Sequence, residues 1–195
     1  MIWRAESRPP EGGRCTQSKT AFVVCALLVL GAAASQAQTP PPPVIVVETV
    51  KGTFAIETFP KDAPRTVAHV VALVRDRFYD GQRVHRAQPG FVAQFGDPQT
   101  KRLATRDVWG RGPAASSGAP IGVAELSAQR LHDAGAVGVA HMGDPAMADS
   151  QIYVTLAPRH ELDGQYVVFA HVIEGDDVPA RLEVGDEILR VYVRE

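Results

Sequence analysis

The stretch VHRAQPGFVAQFGDP, Val84 to Pro98, brings a cation, an aromatic ring and an amide into a few residues: Arg86, Phe91 and Gln94. A guanidinium is permanently charged and presents a rigid fork of donors. A Pro89-Gly90 turn divides the stretch, and either side reads as strand. Period-2 alternation puts Val84 and Arg86 on one face and His85 on the other; past the turn, Val92 and Gln94 share a face. An Arg and a Gln on strand faces beside apolar residues need a partner or a task. Covalent chemistry finds little support elsewhere. Both cysteines, Cys15 and Cys25, lie in the first 37 residues, so the chain beyond them has no thiol nucleophile, disulfide framework or zinc-thiolate site. His69, His85, His132, His141, His160 and His171 are scattered without metal-ligand spacing. No metal and no cofactor is expected.

The elements that must position these residues begin late in the chain. Arg14 and Lys19 precede an apolar run, Ala21 to Ala34, followed by Ser35-Gln36-Ala37. That is the pattern of a secretory signal with cleavage after Ala37. The run is shorter than the ~20 residues of a membrane span. An uncleaved anchor is the alternative, and Glu6 and Glu11 in the long leader leave room for a start downstream of Met1. Residues 1–37 therefore read as a signal peptide, QTPPPP (38–43) as a stiff extended spacer, and 44–195 as one domain. The mature chain carries 16 Lys/Arg against 20 Asp/Glu, a net charge of -4, which gives no basic footprint for nucleic acid. Export with the periplasm as destination, no stable membrane association after cleavage, and a monomer are expected.

Val44–Thr49 and Thr53–Thr58 read as a hairpin across Lys51-Gly52. Asp62 reads as the cap of a helix with Pro64 in its first turn and Val67, Val70, Val71 and Val74 on one face, ending near Phe78. Residues 96–120 read as a long loop. Ile121–Glu125, Val137–Met142, Gln151–Leu156, Tyr166–Val172 and Ile188–Val193 are strand candidates, and Pro179–Glu183 is a helical turn. Many short strands with Gly-rich turns favour a closed barrel.

The central stretch resembles the cyclophilin signature, FHR followed by GF and then QGGDP. APRTVAHVVAL (63–73), FYDG (78–81), DSQIYVTL (149–156) and LDGQYVVFAHVIEG (162–175) are similar to further family segments, in family order. Several motifs in one order are far more specific than one. The resemblance implies a mainly β fold: a closed eight-stranded antiparallel barrel capped by one long and one short helix. It implies peptidyl-prolyl cis-trans isomerase activity on proline-containing polypeptides, and the signal-like leader makes exported proteins the expected substrates. A non-catalytic proline-peptide-binding or chaperone module on the same fold is the alternative. Arg86 then matches the catalytic arginine. Phe91 and Leu162 match walls of the proline pocket, and Gln94 the glutamine that contacts substrate backbone. Val92 stands where the family often has Met, Tyr153 where it has a second pocket Phe, and Tyr166 where it often has His. His141 and Met142 occupy a substrate-contacting backbone segment.

Taken singly, Arg86 reads as a surface ion-pair partner, Phe91 and Leu162 as core, and the tyrosines as strand residues with solvated hydroxyls. The ordered motifs outweigh those readings. The chain also departs from the pattern. Phe95 replaces the first Gly of GGD and is expected to add bulk at the cleft floor. Glu161 sits where animal cyclophilins often carry a Trp linked to cyclosporin binding, so weak inhibition is expected.

Overall fold

A computed structural model describes residues 40–111 and 116–194. The expected signal peptide, residues 1–37, lies outside the described residues. The spacer's last residue is anchored: Pro43 O accepts from both the backbone N–H and the hydroxyl of Thr58 (3.1 and 2.8 Å).

Eight strands form one antiparallel sheet: β1 (Val44–Thr49), β2 (Gly52–Thr58), β3 (Arg86–Gln88), β4 (Val92–Phe95), β5 (Ala136–Val139), β6 (Ile152–Thr155), β7 (Val168–Glu174) and β8 (Ile188–Arg194), in the order β3-β4-β6-β5-β7-β2-β1-β8. The core side shows the expected alternation, with Ile45, Val47, Phe54 and Ile56 buried in it. Among the described residues two α-helices accompany the sheet, the long α1 (Pro64–Arg75) and the one-turn α2 (Val178–Arg181).

The sheet is an open half-barrel rather than a closed barrel, because the edge strands β3 and β8 share no ladder. β3 has only three residues, and the chain before it leaves strand geometry. A single bridge between Arg83 and Glu187 spans the gap, with backbone bonds from Val84 N to Asp186 O and from Ile188 N to Gln82 O. The Arg83 guanidinium adds bonds to Gly185 O and Glu187. The same break overturns the expected alternation before the turn: Val84 is fully buried in the core while Arg86 faces solvent.

Two further expectations are corrected together. Ile121–Glu125 is not a strand, and Asp62 does not cap α1. Glu125 reaches the helix instead: its carboxylate accepts from the N–H groups of Arg65 and Thr66 and from the Thr66 hydroxyl, at 2.8–2.9 Å. A carboxylate there satisfies otherwise orphaned donors and meets the positive end of the helix. Asp62 pairs with Arg130. Phe95 is also reassigned. Its ring is buried in the core, edge-on to Tyr79 with centroids 5.9 Å apart, on the opposite face of β4 from Gln94. It adds no bulk to the cleft.

Candidate active site

Register builds the site. β3, β4, β6 and β5 are neighbours, and Arg86 pairs with Gln94, Gln94 with Tyr153, and Tyr153 with Gly138. These residues form one row across four strands. Leu162 arrives from the 3₁₀ turn His160–Leu162, and Tyr166 from the segment just beyond it. Every side chain expected at the site lines one cleft of about 260 Å³, Arg86, Phe91, Val92 and Gln94 on one flank, His141, Met142, Tyr153, Leu162 and Tyr166 on the others.

Arg86 is exposed, and its Nε and Nη2 both donate to Gln88 Oε1 (3.1 and 2.8 Å). Its guanidinium carbon lies 5.0 Å from the Phe91 ring centroid. Arg159 lies 5.1 Å from the same centroid and donates to Gly90 O. One aromatic ring thus has two cations within cation–π range. Gln94 is nearly buried and donates to Gln151 Oε1 at 3.0 Å, which fixes the amide facing the cleft.

The far wall is aromatic. Tyr153 meets Tyr166 edge-on at 6.0 Å, and Tyr166 lies against His141 at 4.3 Å. His141 Nδ1 accepts from Gly143 N–H and its Nε2 donates to Gln165 O, which assigns the neutral tautomer. Met142 stands at the rim, 82 % exposed. The Tyr153 hydroxyl is buried rather than solvated. It bonds His132 Nε2 at 2.9 Å, and burial raises its pKa well above the ordinary range, so it stays a donor. His132, Asp163, Gly138 and Arg159 were not legible as site residues. The one available signal was the hydroxyl of Tyr153, which a buried strand must provide for.

Beneath the cleft, His85 packs its ring against Gly110, where an added Cβ would sit 2.7 Å from Cδ2. Both ring nitrogens are buried and, among the described residues, find no partner of hydrogen-bond geometry. Burial lowers the His85 pKa from 6.5 to about 4, against opposing contributions from the Asp97 carboxylate and the nearby Gln151. The unfolded chain binds this proton near pH 6.5 and the folded chain only near pH 4. Stability therefore falls as pH drops through that window, by on the order of 3 kcal/mol, and the contribution is flat below it. Denaturant unfolding of wild type and His85→Phe should show this slope in wild type alone.

Residues 44–191 match the family described as cyclophilin type peptidyl-prolyl cis-trans isomerase/CLD. The chain belongs to this family. A peptidyl-prolyl cis-trans isomerase of Synechococcus elongatus is 33% identical over 150 residues, covering 76% of this chain and 94% of the relative. A probable peptidyl-prolyl cis-trans isomerase of Brucella abortus is 31% identical over 174 residues, covering 89% and 87%. The fold is similar to that of a Cryptosporidium parvum cyclophilin type isomerase crystallised in the presence of the dipeptide Ala-Pro, with a TM-score of 0.68 at 20% identity, covering 78% of this chain and 99% of that one.

Proposed function

We propose that this cleft rotates X-Pro peptide bonds, with Arg86 as the catalytic residue. The observation that carries the reading is the row Arg86–Gln94–Tyr153 with Phe91 and Leu162 around the same cleft. The peptide bond resists rotation by ~18–20 kcal/mol because the nitrogen lone pair is shared with the carbonyl. No covalent bond has to break. In the twisted transition state the proline nitrogen regains its lone pair, and a charged donor aimed there binds the twisted form better than either planar form. Arg86 is that donor. Phe91, Tyr153 and Leu162 hold the pyrrolidine ring; Gln94 bonds the neighbouring backbone; Val92, His141, Met142 and Tyr166 complete the walls. A rate gain of about 10⁵ requires about 7 kcal/mol, within reach of one charged donor plus positioning. The test is exchange between cis and trans forms of an X-Pro peptide, followed by NMR. Acceleration by the wild-type chain supports the reading, and none by a folded chain rejects it.

The same reading extends to setting and substrate. Residues 1–37 act as an export signal, 38–43 as a spacer, and the monomeric domain works on exported polypeptides in the periplasm. Support comes from the charged, apolar and small-residue order of the leader and from the two cysteines being confined to it. Mass spectrometry of the exported protein should give Gln38 as the first residue; a membrane-bound chain retaining residues 1–37 would make the segment an anchor. Glu161 stands exposed where an indole is expected for cyclosporin contact (side chain 61% exposed). Cyclosporin should therefore inhibit weakly, and tight nanomolar inhibition in the exchange assay would refute this.

A further inference from the structure

Tyr153 and Leu162 approach the cleft from different parts of the chain, and a third segment ties them together. His132, in the loop before β5, is fully buried. Its backbone N–H and its ring Nδ1 both bond Asp163 Oδ1 at 2.8 Å, and Asp163 directly follows Leu162. Its Nε2 takes the Tyr153 hydroxyl at 2.9 Å, with the two rings nearly parallel at 12°. Its carbonyl accepts from Arg159 N–H at 2.7 Å, and Arg159 lies over Phe91. Asp163 also bonds the exposed His160. Burial raises the Asp163 pKa, but the bonds from His132 and His160 outweigh it and hold this carboxyl below its ordinary range. A carboxylate on Nδ1 fixes the tautomer with Nδ1–H and leaves Nε2 as an acceptor. The phenol fits because its partner in β5 is a glycine: a Cβ on Gly138 would sit 2.4 Å from the Tyr153 oxygen and 2.5 Å from Cζ.

We infer that His132, held by Asp163, is a positioning residue for the isomerase reaction: acting through the Tyr153 hydroxyl, it fixes the wall against which the proline ring is held. The inference rests on the cleft being the prolyl-peptide site. An isomerase that used a bare phenyl ring here would need neither the glycine notch nor the buried histidine. Here the hydroxyl end of that wall is held by one hydrogen bond, and losing it leaves both an unsatisfied phenol and a looser ring.

A double-mutant cycle on kcat/KM tests this. His132→Leu in the otherwise wild-type chain should lower kcat/KM about tenfold, the effect of one positioning hydrogen bond. In the Tyr153→Phe background the same change should have less than about a twofold effect. His132→Gln, which supplies an acceptor to Tyr153 and a donor to Asp163, should recover most of the loss. Equal losses in both backgrounds would assign His132 a merely structural role and overturn the inference. If His132→Leu fails to unfold cooperatively, Tyr153→Phe and His132→Gln decide: unchanged kcat/KM on removing the hydroxyl, or no activity with the glutamine in a folded chain, overturns it. An inactive wild type would reject the site itself, whereas an active wild type with additive losses rejects only the role of His132.

Discussion

Arg86→Ala is expected to lower kcat/KM for X-Pro exchange about 10²–10³-fold, the usual effect of removing one preorganised transition-state donor. The fold should be almost indifferent to the change. Arg86 is exposed on a three-residue edge strand, and its hydrogen bonds are to the exposed Gln88. Its guanidinium also lies near the Phe91 ring, and Arg159 lies at a similar distance from the same ring. Arg86→Lys keeps a charge but loses the planar fork, so it should recover only part of the activity. Unfolding curves for the three proteins should superimpose while their exchange rates separate. Equal exchange rates would remove Arg86 from the reaction.

Gly96→Ala should carry the largest stability cost of any single methyl addition near the site. Gly96 ends β4 at φ 112°, a conformation that L side chains rarely adopt. An added Cβ would lie 2.2 Å from Ser150 O and 2.7 Å from the Cα of Gln151. That carbonyl cannot retreat easily, because the buried Tyr79 hydroxyl donates to it and the Ser150 hydroxyl donates back to Gly96 O. Backbone strain and a backbone clash together should cost about 4 kcal/mol and lower Tm by roughly 10 °C. Gly90→Ala is the matched control. Gly90 also has positive φ, 67°, but has nothing within 4 Å of an added Cβ. Its cost should be about 1 kcal/mol. Comparable Tm shifts for the two variants would show that the clash at Ser150 is relieved by local movement.

The row Arg86–Gln94–Tyr153 was legible because strand alternation and motif order are local. Arg86, Phe91 and Gln94 lie in one short segment, and Tyr153 and Leu162 in two more, so their types and order sufficed to bring them together. What escaped was set by contacts between distant segments. Glu125 caps α1 from 59–60 residues away, and no helix-start signal could name it over Asp62. Phe95 looked like a cleft residue by its place in the motif, yet the pleat sends it to the core beside Tyr79. An unbroken strand would put Val84 and Arg86 on one face; the chain is irregular at residues 84–85, which also leaves the sheet open at that edge. His132 gave no local sign at all, since its partners lie 21 and 31 residues away.

The most direct measurement pairs two quantities on one X-Pro peptide, its affinity for the cleft and its cis-trans exchange rate, for wild type and Arg86→Ala. A residue that acts on the twisted bond should leave ground-state binding nearly intact. Exchange should fall at least about 100-fold while Kd moves by less than about threefold. A parallel loss of affinity and exchange would make Arg86 an ordinary binding residue and contradict its role as the donor to the proline nitrogen.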